Sequence, residues 1–299
     1  MKIVVLKFGG TSVGNLKRIK NVSKIIISYL KKKIKVIVVS SAMSGETNKL
    51  IGLSKKISDK FKDVELDVLL SSGEQVACSL IAAQLNKLGY KSRSFMGWQV
   101  PIITDKNYGN SKILKNYKND IEKFIKIGGV PIIAGFQGIT IERRITTLGR
   151  GASDYTAIML SKVFKANKCI IYTDVEGVMT TDPKINKRAK KIKVISYEEM
   201  LEMSSLGSKV MQSNSVQDAR LGRIDVDVRS SFVKKKGTLI TKKNNIKNKK
   251  IITAISFTKN DTKITLVGVK DKPGIAASIF EPLSKNFINV DMVVQNISA

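Results

Sequence analysis

Four short apolar runs constrain the fold of this 299-residue chain more than any other feature: KIVVLKF at 2–8, KVIVVSS at 35–41, VPIIAG at 130–135 and KCIIYT at 168–173. Each is rich in Val and Ile and nearly free of polar residues, so each reads as a strand buried on both faces. Between them the period changes. Leu16, Ile19, Val22, Ile26 and Leu30 predict a helix over 15–30, and 49–57, 65–88, 153–164 and 197–206 also read as helices. A break is expected within 65–88, at SSGEQ (71–75), and a polar hairpin around 138–147. Strand–helix alternation of this kind predicts an α/β fold, a mainly parallel sheet sandwiched by helices. The Lys- and Asn-rich stretch 242–250 reads as a linker. Strands at 251–257, 263–269 and 289–297, with a helix after Pro273, predict a second, smaller α+β unit. The expected organisation is 1–241, 242–250 and 251–299, and a chain about twice the commonest domain size agrees with two domains.

Histidine is absent altogether. That excludes Ser-His-Asp and Cys-His catalysis, histidine metal ligands and the HExxH and HRD motifs. Cys78 and Cys169 are the only cysteines, too few for a disulfide framework or a CxxC zinc site. The net charge of +29 invites a nucleic-acid reading. Its origin argues otherwise: 44 lysines stand against 9 arginines, with 38 isoleucines and 18 asparagines, all three abundant types being encoded by A/T-rich codons. Nucleic-acid surfaces favour clustered Arg and interleaved aromatics, whereas here Lys is scattered and aromatics are 6%. No nucleic-acid partner is expected, although the positive field would attract anions. The opening residues carry no apolar leader, and no apolar run of 18 residues is evident, so a cytoplasmic protein without a membrane span is expected.

Chemistry concentrates where strands end. KFGGTSV (7–13) follows a strand and precedes a helix; Gly9 and Gly10 allow close backbone approach, and Lys7 adds a positive charge. A Gly pair also serves an ordinary tight turn, and GxxxxGK[ST] is missing, so this is not a P-loop. TTLGRGASD (146–154) brings a Gly-rich loop, Arg150, Ser153 and Asp154 together at a helix start. Arg150 can clamp a carboxylate with two hydrogen bonds, while Ser153 or Asp154 equally suits a helix N-cap. YTDVEGVMTTDP (172–183) places Asp174 and Asp182 around a Gly turn at the end of a strand, where open α/β sheets bind ligands. Glu74 in SSGEQ reads either as a surface charge or as a reader of an ammonium group.

Taken in order, KFGGTSV, VVSSAMSGETN, LLSSGEQ, PIIAGFQG, TTLGRGASD, YTDVEGVMTTDP and MLEMSSLGSKVM closely resemble the aspartokinases of the amino acid kinase superfamily over 2–232. KITLVGVKDKPGIAASIFEPLSKNFINVDMVV resembles the start of an ACT domain, an amino-acid-sensing module. The resemblance implies ATP-dependent phosphorylation of the L-aspartate side-chain carboxylate to 4-phospho-L-aspartate, the first step toward lysine, threonine and methionine. Lys7 and Asp154 match the catalytic positions. Thr47, Glu74, Arg150, Gly151 and Ser153 match the aspartate-binding ones, with Glu74 on the α-ammonium and Arg150 on a carboxylate. Lys7, Phe8, Gly9, Gly10, Ser41, Thr173, Asp174, Met179, Thr180, Thr181, Asp182, Pro183, Lys184, Lys209 and Val210 match the nucleotide site. Mg²⁺ is expected on ATP rather than on protein ligands. Asp271, Pro273, Gly274, Ile275 and Ala276 match an effector site for lysine or threonine, and a homo-oligomer is implied. Ala152, Met179, Lys184 and Gln212 depart from the family pattern; Ala152 would matter if its backbone needed positive φ. The ACT-like region stops partway, as in a fragment of a longer chain or one that pairs this edge with a partner, so weak or no feedback inhibition and association or aggregation through an exposed strand at 289–297 are expected. Another carboxylate or nucleotide kinase of the superfamily and a non-enzymatic amino-acid-binding or nucleic-acid-binding protein are the competing readings.

Overall fold

The structure, a computed structural model, describes residues 2–58, 61, 63–149, 151–208, 210–243, 251–257, 262, 264–269, 272–286, 288, 290 and 293. It divides into two units, the first ending at Phe257 and the second beginning at Thr258. The first unit opens with β1 (Ile3–Phe8), a single 3₁₀ turn (Gly10–Val13), α1 (Leu16–Leu30), β2 (Lys35–Ser40), α2 (Glu46–Ile57) and α3 (Asp63–Lys87). It continues with β3 (Ser92–Phe95), β4 (Ile103–Thr104), β5 (Ile113–Lys115), α4 (Asn119–Lys126), β6 (Val130–Ala134), β7 (Gln137–Ile139) and β8 (Ile145–Thr147). It closes with α5 (Ser153–Val163), β9 (Lys168–Thr173), β10 (Val194–Ser196), α6 (Tyr197–Ser205), α7 (Ser213–Gly222), β11 (Val226–Ser230) and β12 (Thr238–Thr241). Eight strands form one sheet in the order β10-β12-β11-β9-β1-β2-β6-β3, parallel except where β11 meets β12. A smaller sheet, β5-β4-β7-β8, carries the hairpin expected around 138–147.

The two-faced burial expected of the apolar runs is realised by alternation. Val4, Leu6 and Phe8 join Val36 and Val38 in one core against α1 and α3, while Val5, Ile37 and Val39 join a second core with α5, α6 and α7. Local chemistry sets the helix ends. The Asn15 side chain accepts from the Arg18 N–H at the start of α1, and Ser196 and Glu199 form a reciprocal capping box on α6.

Several elements differ from expectation. SSGEQ does not break the helix: α3 runs unbroken from Asp63 to Lys87. Gly73, the apparent breaker, lies where α3 packs on Ala42; an added Cβ would sit 2.9 Å from the Ala42 Cβ. Close packing, not flexibility, is what this glycine permits. An 18-residue stretch of α3 reaches a mean hydropathy of 1.3, long and apolar enough by length and composition to cross a membrane, where no such apolar run was expected. Half of that stretch is buried within the fold. Residues 251–257 form no strand; the Ile255 N–H donates to the Thr180 carbonyl at 2.8 Å, within the first unit. In the second unit α8 (Ile275–Lys285) follows Pro273 as expected, but 264–269 form no strand. Nearly all of the predicted linker and of the strand at 289–297 lies outside the described residues. The short strands β3–β5 and β10–β12 and the helices α4 and α7 were not anticipated; most have too few apolar residues to stand out from loop.

Candidate active site

Parallel pairing fixes where the site is. Phe8 pairs with Ser40 and with Tyr172, and Ser40 pairs with Ala134, so β1, β2, β6 and β9 end together at one edge of the sheet. Backbone bonds continue past those ends: the Gly9 N–H donates to the Tyr172 carbonyl and the Ser41 N–H to the Phe8 carbonyl, both at 3.0 Å. The loops at 9–14, 41–45 and 173–182 start from this edge, the usual ligand side of an open α/β sheet.

Alternation along β1 then decides the chemistry. Lys7 follows Val5 onto the face covered by α5, and its Nζ lies 2.7 Å from Asp154 Oδ1. Both side chains are buried, and apart from this ion pair Oδ1 has no hydrogen-bond partner among the described residues. The ammonium lies beside Gly9, 3.6 Å from where a Cβ there would stand. Asp154 occupies the first turn of α5, where the helix dipole favours an anion. Removing two charges from water offsets most of their attraction. Such a pair contributes little to stability for its own sake.

Across the sheet, Glu74 on α3 is 4% exposed. Its Oε1 accepts the Ala42 N–H at 3.0 Å, while Oε2 is buried with no hydrogen-bond partner among the described residues. Burial raises its pKa from the usual 4.5 to about 7. Glu74 is therefore not the surface charge that its sequence context allowed.

Ala152, at φ −70°, is the N-cap residue of α5 and makes no side-chain cap bond, so neither Ser153 nor Asp154 serves as the cap. That φ also removes the concern over its methyl group. Gly151 does need glycine: φ is +78°, and an added Cβ would lie 2.8 Å from the Gln212 side chain. Thr47 is half-buried in the first turn of α2. Thr173 donates to Asp174 Oδ1 at 3.1 Å, and Asp182 Oδ1 accepts the Lys184 N–H at 2.8 Å. Met179 bridges Lys191, Thr180 and Thr181 are half-buried beside it, Pro183 is exposed, and Val210 packs on the core. Phe8 is fully buried, stacked on Tyr172, and Gly10 opens the 3₁₀ turn. Arg150, Lys209 and Asp271 lie outside the described residues. In the second unit, Gly274 caps α8 at φ +91°, after Pro273 and before Ile275 and Ala276. Cys78 and Cys169 are buried with thiol pKa values pushed up, which makes them poor nucleophiles.

Sequence reasoning passed over Asp67, Thr147 and Gln137. Asp67 and Gln137 are buried polar side chains, the first accepting from the Thr147 hydroxyl at the end of β8 and the second donating to the Ser71 carbonyl of α3. The available signal was an acid inside the apolar run LDVLL.

The model of the amino acid kinase family matches residues 2–230, and that of the ACT domain matches 264–299. An aspartokinase from Geobacillus stearothermophilus is 43% identical over 99% of this chain and 73% of its own. A solved aspartate kinase from Synechocystis is 38% identical, with a TM-score of 0.74 over 84% of this chain; the match spans only 41% of that longer chain. Aspartokinase III of E. coli, solved with aspartate and ADP, is 26% identical and superposes with a TM-score of 0.85 over 99% of this chain and 77% of its own. The same protein with lysine and aspartate gives 0.76 at 25% identity over the same shares. With its parallel sheet, its strand-end loops and these matches, the chain belongs to the amino acid kinase family, on its aspartokinase branch, with an ACT domain following the kinase fold.

Proposed function

We propose that this chain transfers the γ-phosphoryl group of ATP to the side-chain carboxylate of L-aspartate. The observation that carries the reading is the buried Lys7–Asp154 pair at the carboxyl edge of the sheet, in a chain 43% identical to an aspartokinase. A carboxylate acceptor is already ionised at neutral pH, so attack needs no general base and a chain without histidine loses nothing. What remains is positioning and charge neutralisation. Lys7 supplies a preorganised cation where charge redistributes on the transferring group, and Asp154 holds that ammonium in place. Glu74 offers its free, buried Oε2 to the α-ammonium. Arg150, with Thr47, Gly151 and Ser153, takes the acceptor's carboxylates. The nucleotide lies along Gly9, Gly10, Ser41, Thr173, Asp174 and the 179–184 segment, with Lys209 and Val210.

Among the described residues no three acidic or thiol side chains converge on a metal site. A Mg²⁺ ion carried by the nucleotide's own phosphates would neutralise phosphate charge there. Lysine or threonine as effector at 271–276, a homo-oligomer and a cytoplasmic setting complete the proposal; the lysine complex of the E. coli relative supports the first. ADP release measured with L-aspartate, L-glutamate, N-acetylglutamate and UMP tests it. Release driven by aspartate above all others is the expected result. Turnover indifferent to aspartate, or driven by another acceptor, overturns it.

A further inference from the structure

We propose that Asp67 is a positioning residue that sets the start of the acceptor loop, 147–149, relative to the end of β2, an inference that rests on the phosphoryl-transfer reading of this site. Asp67 is 1% exposed, near the start of α3. Its Oδ1 accepts the Thr147 hydroxyl at 2.6 Å, and its Oδ2 accepts the Thr147 N–H at 2.8 Å. The Gly109 N–H donates to both oxygens, at 3.1 and 3.0 Å. One carboxylate thus ties the last residue of β8, where the acceptor loop starts, to the neighbouring 107–111 loop. The two loops touch twice more: the Ser111 N–H donates to the Thr147 carbonyl at 2.9 Å, and Asn110 Oδ1 lies 2.8 Å from where a Gly149 Cβ would stand.

The rest of that helix face explains why a carboxylate belongs there. Asp67, Ser71 and Glu74 follow one another at i, i+4 and i+7, on one side of α3. The Ser71 carbonyl accepts from Gln137 Nε2 at 3.1 Å, and Glu74 Oε1 accepts from the Ala42 N–H at 3.0 Å. A single rigid helix therefore grips the acceptor loop at one point and the end of β2 about 10 Å further along its axis. A buried, desolvated carboxylate is an expensive way to hold a loop unless all its lone pairs are served. Its donors here come from the two loops beside the site. Asp67 touches no reacting atom; it acts through Thr147 and Gly109, so that Gly151 and Ser153 start from a fixed point.

The test uses the full chain with Asp67→Asn, Thr147→Val and the double variant. Steady-state kinetics in both substrates are combined with hydrogen exchange at the Thr147 and Gly109 amides. Misplacing a binding loop by a fraction of an ångström should raise the aspartate KM about tenfold or more. The ATP KM should stay within about twofold. The double variant should be no worse than Asp67→Asn alone, and both amides should exchange faster while those of β1 and β9 do not. An unchanged aspartate KM, both KM values rising together, or amides that keep their protection would each overturn the proposal. If wild type responds to a different acceptor, the aspartate reading fails instead, and the same split is read on that acceptor's KM.

Discussion

Lys7 sits in a strand whose neighbours IVVL and F are apolar, and its described charged partner is Asp154, 2.7 Å away. Removing a cation from such a pair has two separable effects. Lys7→Ala should lower kcat by about 10²–10³ with little change in the aspartate KM, because a preorganised charge matters most as phosphoryl charge redistributes. It should also destabilise the fold by about 3 kcal/mol or more, because Asp154 is left buried and unpaired. Lys7→Ala with Asp154→Asn should then regain melting temperature without regaining turnover. A single variant with normal turnover would remove Lys7 from the mechanism. Glu74 makes a different prediction. Its pKa is raised from 4.5 to about 7 by burial, so between those values the folded chain holds a proton that the unfolded chain has released. Stability from this group is present below about 4.5 and is lost as pH rises through about 7. The ligand-free protein should lose up to about 3 kcal/mol over that window. Glu74→Gln should flatten the melting curve against pH there. Since only the carboxylate can pair with an ammonium, the wild-type aspartate KM should also climb as pH falls below 7. A pH slope identical in the Gln variant would assign the effect to another group.

Among the elements, α3 is the one that surprises. A glycine inside a helix ordinarily costs about 1 kcal/mol against alanine, so Gly→Ala in a helix should stabilise. Gly52 in α2 obeys that rule, since a Cβ there would meet nothing within 4 Å. Gly73 in α3 should not. Its Cβ would stand 2.9 Å from the Ala42 Cβ and 3.6 Å from Leu50 Cδ1, so the helix must lift away from β2. Lifting it stretches the Glu74–Ala42 hydrogen bond as well. Thermal melts should therefore show Gly52→Ala rising by about 1 kcal/mol and Gly73→Ala falling, with a weaker aspartate KM only in the second. Two variants moving the same way would show that packing on Ala42 does not govern this glycine.

At the scale of the molecule, stability should follow where the first unit ends. Ala254 packs against its core, Thr253 donates its hydroxyl to Glu199, and the Ile255 N–H donates to the Thr180 carbonyl. Each such bond is worth about 1 kcal/mol net. A chain ending at Phe257 should thus be about 2 kcal/mol more stable than one ending at Thr241. It should also hold ATP more tightly, because Thr180 stands in the proposed nucleotide segment. Denaturant melts and ATP KM values on the two truncations settle the matter; equal midpoints would place the boundary at 241.

Periodicity is local, and what it encodes was legible in the sequence: the apolar runs of β1, β2, β6 and β9, the helical spacing of α1, and the Gly-bearing loops between them. Strands buried on both faces are legible because the runs KIVVLKF and KVIVVS are short and rich in β-branched residues, and a sheet covered on both sides keeps them from water. Which polar groups meet across that sheet is not local. Lys7 and Asp154 become partners because β1 alternates and α5 packs on one of its two faces. Asp67 finds Thr147 because α3 lies beneath the hairpin. SSGEQ stays helical because Ala42 needs a neighbour without a Cβ. These pairings depend on parallel register and close packing between segments far apart in the chain, and only the folded structure specifies them.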